Sequence, residues 1–341
     1  MGRPLSTVLI GFGRIADQFG NDPLTARFFR FATHAQVLAE HPLLDWQAVV
    51  DLSDQALDRA RSRWQVPHLV HHVKELIGRC EPDIAVIATP PGPRADIVAA
   101  LPSLKGVMVE KPLASSMAEA DALARICASR ELAVQVNYWR RGVETFRRLA
   151  KGQLESEIGR PQAVFATYGN GMFNNASHLV DFIRMMLGEI GEVQAVGEPK
   201  ALAGASIPWD VDLAFTLTLG CGAVAAFIPL DFAHYREVGV DIWGENGRAT
   251  VLQESLCLSR HRRVPNRGVS GAHEVASDEA EVEVVAVADA LYAMYDNLAA
   301  AIDHNEKLWS PLTSAIATEC VLRAALDSAR GGRTPVNPDR P

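Results

Sequence analysis

Hydrophobic and polar positions follow one pattern in the first 140 residues of the chain. Short apolar runs predict strands in STVLIGFG, DWQAVVDLS, DIAVIAT, GVMVEKP and LAVQVNY. Segments with helical spacing, such as SDQALDRARSRW and SMAEADALARICASR, lie between these runs. Because strands separated by helices form βαβ units, the pattern predicts an α/β architecture with a doubly wound parallel sheet.

The pattern changes after about residue 160, where longer alternating segments predominate. They are PQAVFATYG, EVQAVGEP, DVDLAFTLTLG, GAVAAFIPLDF and VGVDIWGENGRATVLQ. Hairpin-like punctuation in LGCGA and GENGR favours antiparallel pairing. One helix, ASHLVDFIRMMLGE, interrupts the strands, and another, PLTSAIATECVLRAALDSARGG, closes the chain. The pattern after about residue 160 predicts an α+β domain with a large, mostly antiparallel, open-faced sheet.

The length of 341 residues is too great for one ordinary hydrophobic core, so we expect two domains. The change of pattern predicts a parallel-sheet domain over residues 1–137 and an α+β domain over 138–331. A tail follows over 332–341, after the last helical spacing ends.

Charge and composition exclude several classes of partner. The net charge of −8 and the pI near 5.7 argue against nucleic acid or an anionic membrane surface. The apolar segment TVLIGFG is too short to span a bilayer. Five scattered cysteines indicate small buried side chains in a reducing compartment, and the expected location is cytoplasmic. The cysteines and histidines lack metal-ligand spacing, so no metal site is predicted.

A glycine turn connects the first predicted strand to the helix that follows it. Gly11, Phe12, Gly13, Arg14 and Ile15, followed by an alanine, match G-x-G-x-x-A. Small residues in such a turn let a pyrophosphate approach the backbone at a helix N-terminus. The turn therefore predicts a dinucleotide site, and an ordinary tight βα turn is the alternative.

Asp51 ends the second predicted strand, where a carboxylate would accept hydrogen bonds from an adenosine ribose. The same charge would repel a 2′-phosphate, so Asp51 favours NAD, and NADP is not excluded. Asp51 lies 38 residues after Gly13 (51 − 13), whereas the fingerprint expects about 20. The additional segment, NDPLTARFFRFATHAQVLAEHP, predicts a lengthened or broken first helix.

The apolar run 107–109 ends abruptly in Glu110, Lys111 and Pro112. At the carboxyl end of a parallel strand, Lys111 would lie beside a bound nicotinamide. Its ammonium would bond a substrate hydroxyl and favour the alkoxide that develops as hydride leaves. Glu110 would hold the lysine or the nicotinamide ribose. The alternative is a structural Glu–Lys pair at a domain hinge.

The last predicted parallel strand continues into Asn137, Trp139 and Arg140. These residues are expected to border the cleft, with Asn137 on the cofactor side and the other two on the substrate side. Arg140 would bind a substrate carboxylate or phosphate, although an arginine pair on the surface fits the sequence equally well.

A histidine helix carries Asn174, His178 and Asp181 within eight residues. If the segment is a regular α-helix, these positions share one face. His178 is suited to take a hydroxyl proton near neutral pH. A buried or capping histidine is the structural alternative.

The motifs GFGRIA, VVD, VIATPP, EKPLA and SHLVDFIRMMLGE, in this order, resemble the Gfo/Idh/MocA family of glucose–fructose oxidoreductase, inositol dehydrogenase and relatives. The resemblance extends over effectively the whole chain and implies an N-terminal Rossmann domain. It implies that Lys111 is an active-site residue near nicotinamide and substrate, and that Pro112 follows a cis bond. It also implies that Thr89, Pro90 and Pro91 line the cofactor.

The chain departs from the family pattern at three positions. Asn174 and Ala176 replace the Asp and Gly of the usual Asp-x-Gly-x-His, while His178 and Asp181 fit. Arg94 stands where the family commonly has histidine. Since asparagine is not a carboxylate base, His178 is assigned the proton exchange and Asn174 a substrate hydroxyl. Loss of dehydrogenase activity is the alternative.

The sequence thus predicts an NAD(H)-dependent oxidoreductase that transfers hydride between nicotinamide and a carbinol carbon of a sugar, cyclitol or sugar derivative. Lys111 and His178 are the predicted catalytic residues, and Asn174, Arg140, Trp139 and Asp181 the predicted substrate residues. The resemblance implies a homodimer or homotetramer through the C-terminal sheet. The alternatives are a non-catalytic dinucleotide-binding sensor, and a lyase or glycosidase that recycles NAD internally.

Overall fold

The computed structural model describes residues 3–92, 94–205 and 207–338. The chain forms two compact units, one of Met1–Gly142 with Ala288–Ile316, the other of Val143–Val287 with Ala317–Pro341. The predicted boundary at residue 137 stays a prediction, and the units divide the chain five residues later, at 142 (142 − 137). The segment 288–316 joins the first unit although it follows the second sheet in sequence.

The first unit contains a parallel sheet that lies between helices. Its strands are β1 (Leu5–Ile10), β2 (Leu44–Val50), β3 (His68–Val70), β4 (Ile84–Ile87), β5 (Gly106–Val109) and β6 (Ala133–Val136). The order β3-β2-β1-β4-β5-β6, with every pair parallel, is that of a doubly wound dinucleotide-binding sheet. β1, β4 and β5 are buried along their whole length, which explains their continuous apolar sequences.

The helices of this unit before residue 142 are α1 (Pro23–Phe28), α2 (His34–Glu40), α3 (Asp54–Arg63), α4 (Arg94–Ala99) and α5 (Met117–Ser129). The first crossover is broken, as its length predicted. A π-helix over Arg14–Gln18 and a 3₁₀ turn over Phe19–Asn21 precede α1, and α2 starts separately. Asp22 caps α1, and Thr33 forms a capping box with Gln36 at the start of α2.

The second unit is built on a large, mostly antiparallel sheet. Its strands are β7 (Pro161–Tyr168), β8 (Ile190–Ala195), β9 (Lys200–Ala201), β10 (Val211–Asp212), β11 (Phe215–Leu219), β12 (Val224–Pro229), β13 (Gly239–Gly244), β14 (Gly247–Leu252), β15 (Cys257–Pro265), β16 (His273–Val275) and β17 (Glu281–Val284). The order is β16-β15-β14-β13-β7-β12-β11-β8, β17 pairs with β15, and β9 and β10 form a separate ribbon. β7 and β12 are parallel, and the hairpins predicted at LGCGA and GENGR are present.

Helices cover one face of this sheet and leave the other open. The helices are α6 (Glu144–Arg148), α7 (Leu154–Ile158) and α8 (Ser177–Leu187). Val164, Ala166 and Tyr168 of β7 are buried, whereas Phe165 between them is exposed. This alternation confirms the open-faced sheet, because successive side chains of a strand point to opposite faces.

Two helices end the chain, α9 (Ala290–His304) and α10 (Leu312–Arg330). α9 was not recognised from the sequence, and it packs into the first unit rather than the second. Gln135 of β6 donates from Nε2 to the carbonyl of Met294 at 2.7 Å, and Tyr295 and Leu298 belong to the core of that unit. A helical pattern identifies an amphipathic segment but not the sheet that it covers.

The predicted tail is attached to the second unit. Val336 and Val193 exchange backbone hydrogen bonds of 2.8 Å, and Ser328 donates to the carbonyl of Thr334. Residues 339–341 lie outside the described residues. Among the described residues, no helix is both long enough and apolar enough to cross a bilayer.

Candidate active site

The carboxyl ends of the parallel strands form one row in the first unit. Ile10 pairs with Val50 and with Ile87, Ile87 with Val109, and Val109 with Val136. The residues that follow these positions are Gly11, Asp51, Ala88, Glu110 and Asn137. The motifs singled out in the sequence therefore meet at one sheet edge, where doubly wound folds bind their ligands.

The glycine turn has the shape that a close ligand approach requires. Gly11 has φ +87°, and a Cβ there would lie 2.8 Å from the backbone nitrogen of Thr89. Its need for glycine therefore comes from the neighbouring loop. Around Gly13, a Cβ would meet no described atom within 4 Å. That open space in front of the turn is what a pyrophosphate would fill.

Asp51 follows β2 directly and is tied to the glycine turn. Its Oδ2 accepts from the amide of Phe12 at 2.6 Å, and its Oδ1 accepts from the amide of Ser53 at 2.9 Å. The unusual spacing from Gly13 is absorbed by the broken crossover and leaves Asp51 at the end of its strand. A carboxylate oxygen has two lone pairs, so each keeps acceptor capacity for a ribose hydroxyl.

The other residues of the turn have separate environments. Both backbone groups of Phe12 are engaged, since its carbonyl also accepts from Arg59 at 2.9 Å, and its ring lies in the core. Ile15 is half-buried. Arg14 is exposed, with its guanidinium 4.7 Å from the ring centroid of Phe19.

Arg94 connects the two loops that carry the VIATPP and EKP motifs. Its Nη1 donates to the carbonyls of Glu110, Pro112 and Leu113 at 2.6, 2.9 and 2.9 Å. Its Nη2 donates to the carbonyl of Thr89 at 2.7 Å. Thr89 and Pro91 are half-buried and Pro90 is exposed. The residue that departs from the family pattern therefore fixes the conformation of both loops.

Glu110 lies at the centre of a buried cluster beside Lys111. Its Oε1 accepts from Nδ2 of Asn137 at 2.5 Å and is 3.0 Å from Nε2 of His34. Burial raises the pKa of Glu110, but the hydrogen bonds from His34 and Asn137 and the charge of Lys111 outweigh it. The net pKa is lowered from its ordinary value of 4.5. The Lys111–Pro112 bond is cis, as the resemblance implied.

Asn137 supplies an acceptor at this edge. It is 4% exposed, and its Oδ1 has no hydrogen-bond partner within the described residues. An unpaired buried acceptor is costly, so a donor from a bound group would stabilise it. This orphaned atom fits the nicotinamide half of a dinucleotide, and the open space at Gly13 fits its pyrophosphate. Asn137 and the glycine turn would hold it.

The substrate residues predicted after β6 differ in exposure. Trp139 is half-buried and contacts the ring of Phe29 edge-on, with centroids 5.6 Å apart. Arg140 is buried, and its guanidinium lies 4.6 Å from the centroid of the Trp139 ring. The arginine is therefore not a surface residue, and it fixes one side of the indole.

In the second unit, the histidine helix begins irregularly. Residues Met172–Ala176 form a π-helix, and α8 starts at Ser177. The assumption of one continuous α-helix from Asn174 was wrong, because a π turn changes the angular spacing. Asn174 donates from Nδ2 to the carbonyl of Asn170 at 3.1 Å. His178 is half-buried, and Asp181 is buried.

The carboxylate of Asp210 binds backbone amides at the irregular start of this helix. Its Oδ1 accepts from the amides of Phe173 and Val211, and its Oδ2 from the amide of Asn174, all at 2.9 to 3.0 Å. Burial raises its pKa, the backbone donors lower it, and the charge of Asp212 raises it further; the net shift is upward. Asp210 therefore fixes the backbone that leads to His178.

Three contributors were missed or left without a role by the sequence reasoning. Asp210, His34 and Tyr295 were not assigned a role from the sequence. A partial signal existed for His34, which follows the capping residue of a T-x-x-Q box. Tyr295 lies 261 positions from His34, and sequence spacing carries no signal over that distance.

Comparison with known proteins agrees with this geometry. Residues 5–138 match the model of the Gfo/Idh/MocA family, described as an oxidoreductase family with an NAD-binding Rossmann fold. An uncharacterized oxidoreductase, YrbE, of Bacillus subtilis strain 168 is 23% identical over 269 residues, 74% of each chain.

Solved structures share the fold over nearly the whole chain. A putative NADPH-dependent oxidoreductase from Desulfitobacterium hafniense has a TM-score of 0.78 at 15% identity, covering 99% of both chains. The WlbA dehydrogenase from Bordetella pertussis, in complex with NADH and UDP-GlcNAcA, has a TM-score of 0.73 at 19% identity, covering 98% of this chain and 99% of that one. At these identities the likeness concerns the fold.

The family match covers the whole row of strand ends, from the glycine turn through Asp51 and Lys111 to Asn137. Residues 5–138 therefore match the NAD-binding Rossmann domain of the Gfo/Idh/MocA oxidoreductases, and this match indicates an oxidoreductase.

Proposed function

We propose that the protein is an NAD(H)-dependent dehydrogenase or reductase that acts on a CH–OH group of a sugar, cyclitol or sugar derivative. The row of strand ends carries this proposal, because it brings Gly11, Asp51, Glu110 and Asn137 to one edge in successive ladder positions. NAD held at this edge would supply hydride transfer to and from a carbinol carbon of the substrate.

Lys111 is the residue we propose to bind the reacting oxygen. It follows β5 and Glu110 at this edge, and its ammonium would donate to the hydroxyl and stabilise negative charge on the oxygen. Preorganisation supports this role, since Arg94 binds the carbonyls on both sides of Lys111 in the loop, those of Glu110 and Pro112.

His178 is the residue we propose to exchange the hydroxyl proton, taking it in oxidation and returning it in reduction. Asn174 would hold a substrate hydroxyl, and its half-buried amide supports that role. Trp139 would supply an apolar wall for a sugar ring. Arg140 and Asp181 are buried, so we propose that they position the substrate-binding residues and do not contact the substrate themselves.

NAD is the preferred cofactor in this proposal because Asp51 stands at the end of β2 with acceptor capacity left. The WlbA structure holds NADH with UDP-GlcNAcA, which supports a sugar derivative as substrate class. Asp51→Ser is expected to lower the ratio of NAD affinity to NADP affinity by about tenfold or more. The reason is that the Asp51 carboxylate would repel the 2′-phosphate of NADP, and like charges in contact cost several kcal/mol.

The test is formation of NADH from NAD, or of NADPH from NADP, with each cofactor supplied with inositols, aldoses, uronic acids and amino sugars. Lys111→Met and His178→Asn should each reduce turnover by about 10²- to 10⁴-fold, the contribution expected of a positioned proton-transfer or charge-stabilising group. Cofactor affinity should stay within a few-fold, because neither change touches the glycine turn.

Lys105→Met is the matched control. Lys105 precedes β5, at the opposite end of the strand, and pairs with Asp83 at 2.9 Å. Its loss should leave turnover unchanged. Turnover that survives Lys111→Met and His178→Asn would contradict the residue assignment. NAD binding with no turnover on any substrate would instead favour a dinucleotide sensor.

We further propose that two copies associate through the open face of the second unit's sheet. Phe165 and Trp243 are 46% and 40% exposed, and Val282 and Val284 are 66% and 77% exposed. Strand register puts them on the same face, with small residues such as Ala226 and Thr250 between them. Apolar side chains exposed together on one face of a sheet favour an interface.

Mass measurement by light scattering tests this association. Phe165→Asp combined with Val282→Asp should convert dimers or tetramers into monomers at micromolar concentration. Val269→Asp is the control, since Val269 is equally exposed but lies in a loop outside the strands. A monomeric wild-type protein, or an unchanged mass in the double variant, would refute the proposed interface.

A further inference from the structure

A continuous chain of hydrogen bonds leads from the core of the first unit to the residue before Lys111. The Oη of Tyr295 is 2.6 Å from Nδ1 of His34, and Nε2 of His34 is 3.0 Å from Oε1 of Glu110. Nδ2 of Asn137 donates to the same Oε1 at 2.5 Å. All four side chains are buried, and we refer to them as the Tyr295 chain.

The chemistry of its members gives the Tyr295 chain a direction. Ionised Glu110 only accepts, so Nε2 of His34 carries the hydrogen on that side. In a neutral imidazole the other nitrogen is then an acceptor, and the hydroxyl of Tyr295 donates to it. Burial raises the pKa of Tyr295 well above its ordinary value, so the hydroxyl keeps its proton. Every hydrogen along the chain is thus accounted for.

Separate parts of the fold hold this arrangement in place. His34 is the first residue of α2, whose start is fixed by the capping box of Thr33 and Gln36. Tyr295 belongs to α9, which Gln135 anchors to β6. The rings of His34 and Tyr295 meet edge-on with centroids 5.8 Å apart. The segment after the interrupted first crossover therefore places His34 behind the EKP loop.

We propose that His34 and Tyr295 are positioning residues that keep the carboxylate of Glu110 ionised and oriented beside Lys111 and Asn137. Through Glu110 they would stabilise the charged ammonium of Lys111, and they would orient the Asn137 amide so that its Oδ1 remains available to the cofactor. The consequence for cofactor binding rests on the proposed function, whereas the hydrogen-bond direction does not.

The groups that face Glu110 make the prediction specific. His34 approaches from α2, with Tyr295 of α9 behind it, and Asn137 follows β6. Lys111 is the adjacent cation, and Arg94 from α4 binds the backbone carbonyl of Glu110 rather than its carboxylate. Removing the imidazole donor leaves burial as the dominant influence on the carboxyl, which then takes up a proton at higher pH.

The first test observes the His34 ring directly. Nitrogen NMR of histidine-labelled protein, with the His34 signals assigned by their loss in His34→Gln, should show the hydrogen on Nε2 and a hydrogen-bonded acceptor at Nδ1. Tyr295→Phe should shift the Nδ1 signal toward that of an unbonded acceptor. A hydrogen on Nδ1 would overturn the proposal, as would an Nδ1 signal that Tyr295→Phe leaves unchanged.

The second test measures NADH affinity from about pH 5 to pH 8. His34→Gln keeps a donor for Glu110 and an acceptor for Tyr295, and should bind NADH within about threefold of wild type. His34→Phe keeps the ring without either nitrogen. It should bind about tenfold more weakly, with a loss that grows as the pH falls, because Glu110 becomes protonated.

Tyr295→Phe removes one oxygen and should weaken binding by about two- to fivefold. Tyr292→Phe, on the same helix and stacked on His41, is the matched control and should have no effect. Wild-type affinity in a folded His34→Phe at every pH would overturn the proposal; if that variant does not fold, wild-type affinity in Tyr295→Phe would overturn it. Absence of turnover with normal NADH binding would overturn only the proposed function, since these affinities need no substrate.

Discussion

Glu110 in the first unit and Asp210 in the second are both buried carboxylates that accept several hydrogen bonds, yet the pKa of Glu110 is lowered and that of Asp210 is raised. Glu110 receives a side-chain amide and an imidazole and lies beside the ammonium of Lys111. Asp210 receives backbone amides and is close to the charge of Asp212.

The two carboxyls differ in how far their neighbours offset burial, which is the largest influence on the pKa of each. At Glu110 the side-chain hydrogen bonds and the charge of Lys111 outweigh burial, whereas at Asp210 the backbone amides do not, and the charge of Asp212 adds to the upward shift. Burial penalises both anions, and both accept more than one donor. Glu110 has one cationic neighbour, Lys111, and its ionised form suits a place next to reacting groups. Asp210 has an anionic neighbour, and its part is to hold the backbone before α8.

The largest effect that separates the two sites should come from Gly171→Ala. Gly171 has φ +104°, and a Cβ would lie 2.1 Å from Oδ2 of Asp210. The substitution should lower the free energy of unfolding by about 2–4 kcal/mol, from backbone strain and displacement of the carboxylate. Denaturant unfolding measures it, and adding Asp210→Ser should recover part of the loss. Equal losses in the single and double variants would mean that the carboxylate is not what the new methyl group strikes.

Glu110→Gln should have the next largest effect, about 1–3 kcal/mol at neutral pH, because hydrogen bonds to a charged group are lost. A lowered folded-state pKa contributes stability that is present above the unfolded value, near 4.5, and is lost as the pH falls through the folded value. The gap between wild type and variant in thermal midpoint should therefore close below about pH 4.5. A gap independent of pH would show that the carboxylate is not ionised in the folded protein.

Asp210→Asn should show the opposite trend, with a smaller effect of about 1 kcal/mol. The new Oδ1 still accepts from Phe173 and Val211, while the new amide group opposes the amide of Asn174. Because the pKa of Asp210 is raised, wild type loses stability as the pH rises from the unfolded value of 3.8 through the folded one. The variant lacks this loss and should gain on wild type with rising pH. Parallel pH profiles of the two proteins would contradict the raised pKa.

The smallest effects should come from exposed carboxylates in the same units. Glu40→Gln breaks a surface pair with Arg30, and Glu245→Gln a surface pair with Arg160. Each should change the free energy of unfolding by less than about 0.5 kcal/mol and be sensitive to salt. A larger change in the free energy of unfolding of either variant would mean that exposed carboxylates are not valid controls for Glu110 and Asp210.

Much of the fold was predictable because its periodicities are local. The apolar runs of β1, β4 and β5 reflect burial on both faces, and the alternation in β7 reflects burial on one. The assignment of α9 to the first unit was not predictable, since it depends on contacts such as that between Gln135 and Met294, 159 positions apart.

In the candidate site, too, the features that depend on local sequence were predicted, and those that depend on distant contacts were not. Asp51 and the EKP motif follow strands, so their place at the sheet edge was predicted from strand order. The partners of Glu110 come from elsewhere in the chain: His34 lies 76 positions away, and Tyr295 reaches Glu110 only through His34. The π turn before His178 also left no trace in the hydrophobic pattern, because its amides are satisfied by Asp210 rather than by a regular helix.

The binding of two loops by Arg94 has a consequence for loop exchange with proteins of the Gfo/Idh/MocA family. One guanidinium binds carbonyls of the Thr89 loop and of the Glu110–Leu113 loop. Loops exchanged with a relative that has histidine at this position would lose donors that histidine does not replace. Chimeras that exchange both loops together with residue 94 should therefore express and bind cofactor where exchanges of one loop fail. The two loops and residue 94 thus have to be exchanged as one unit.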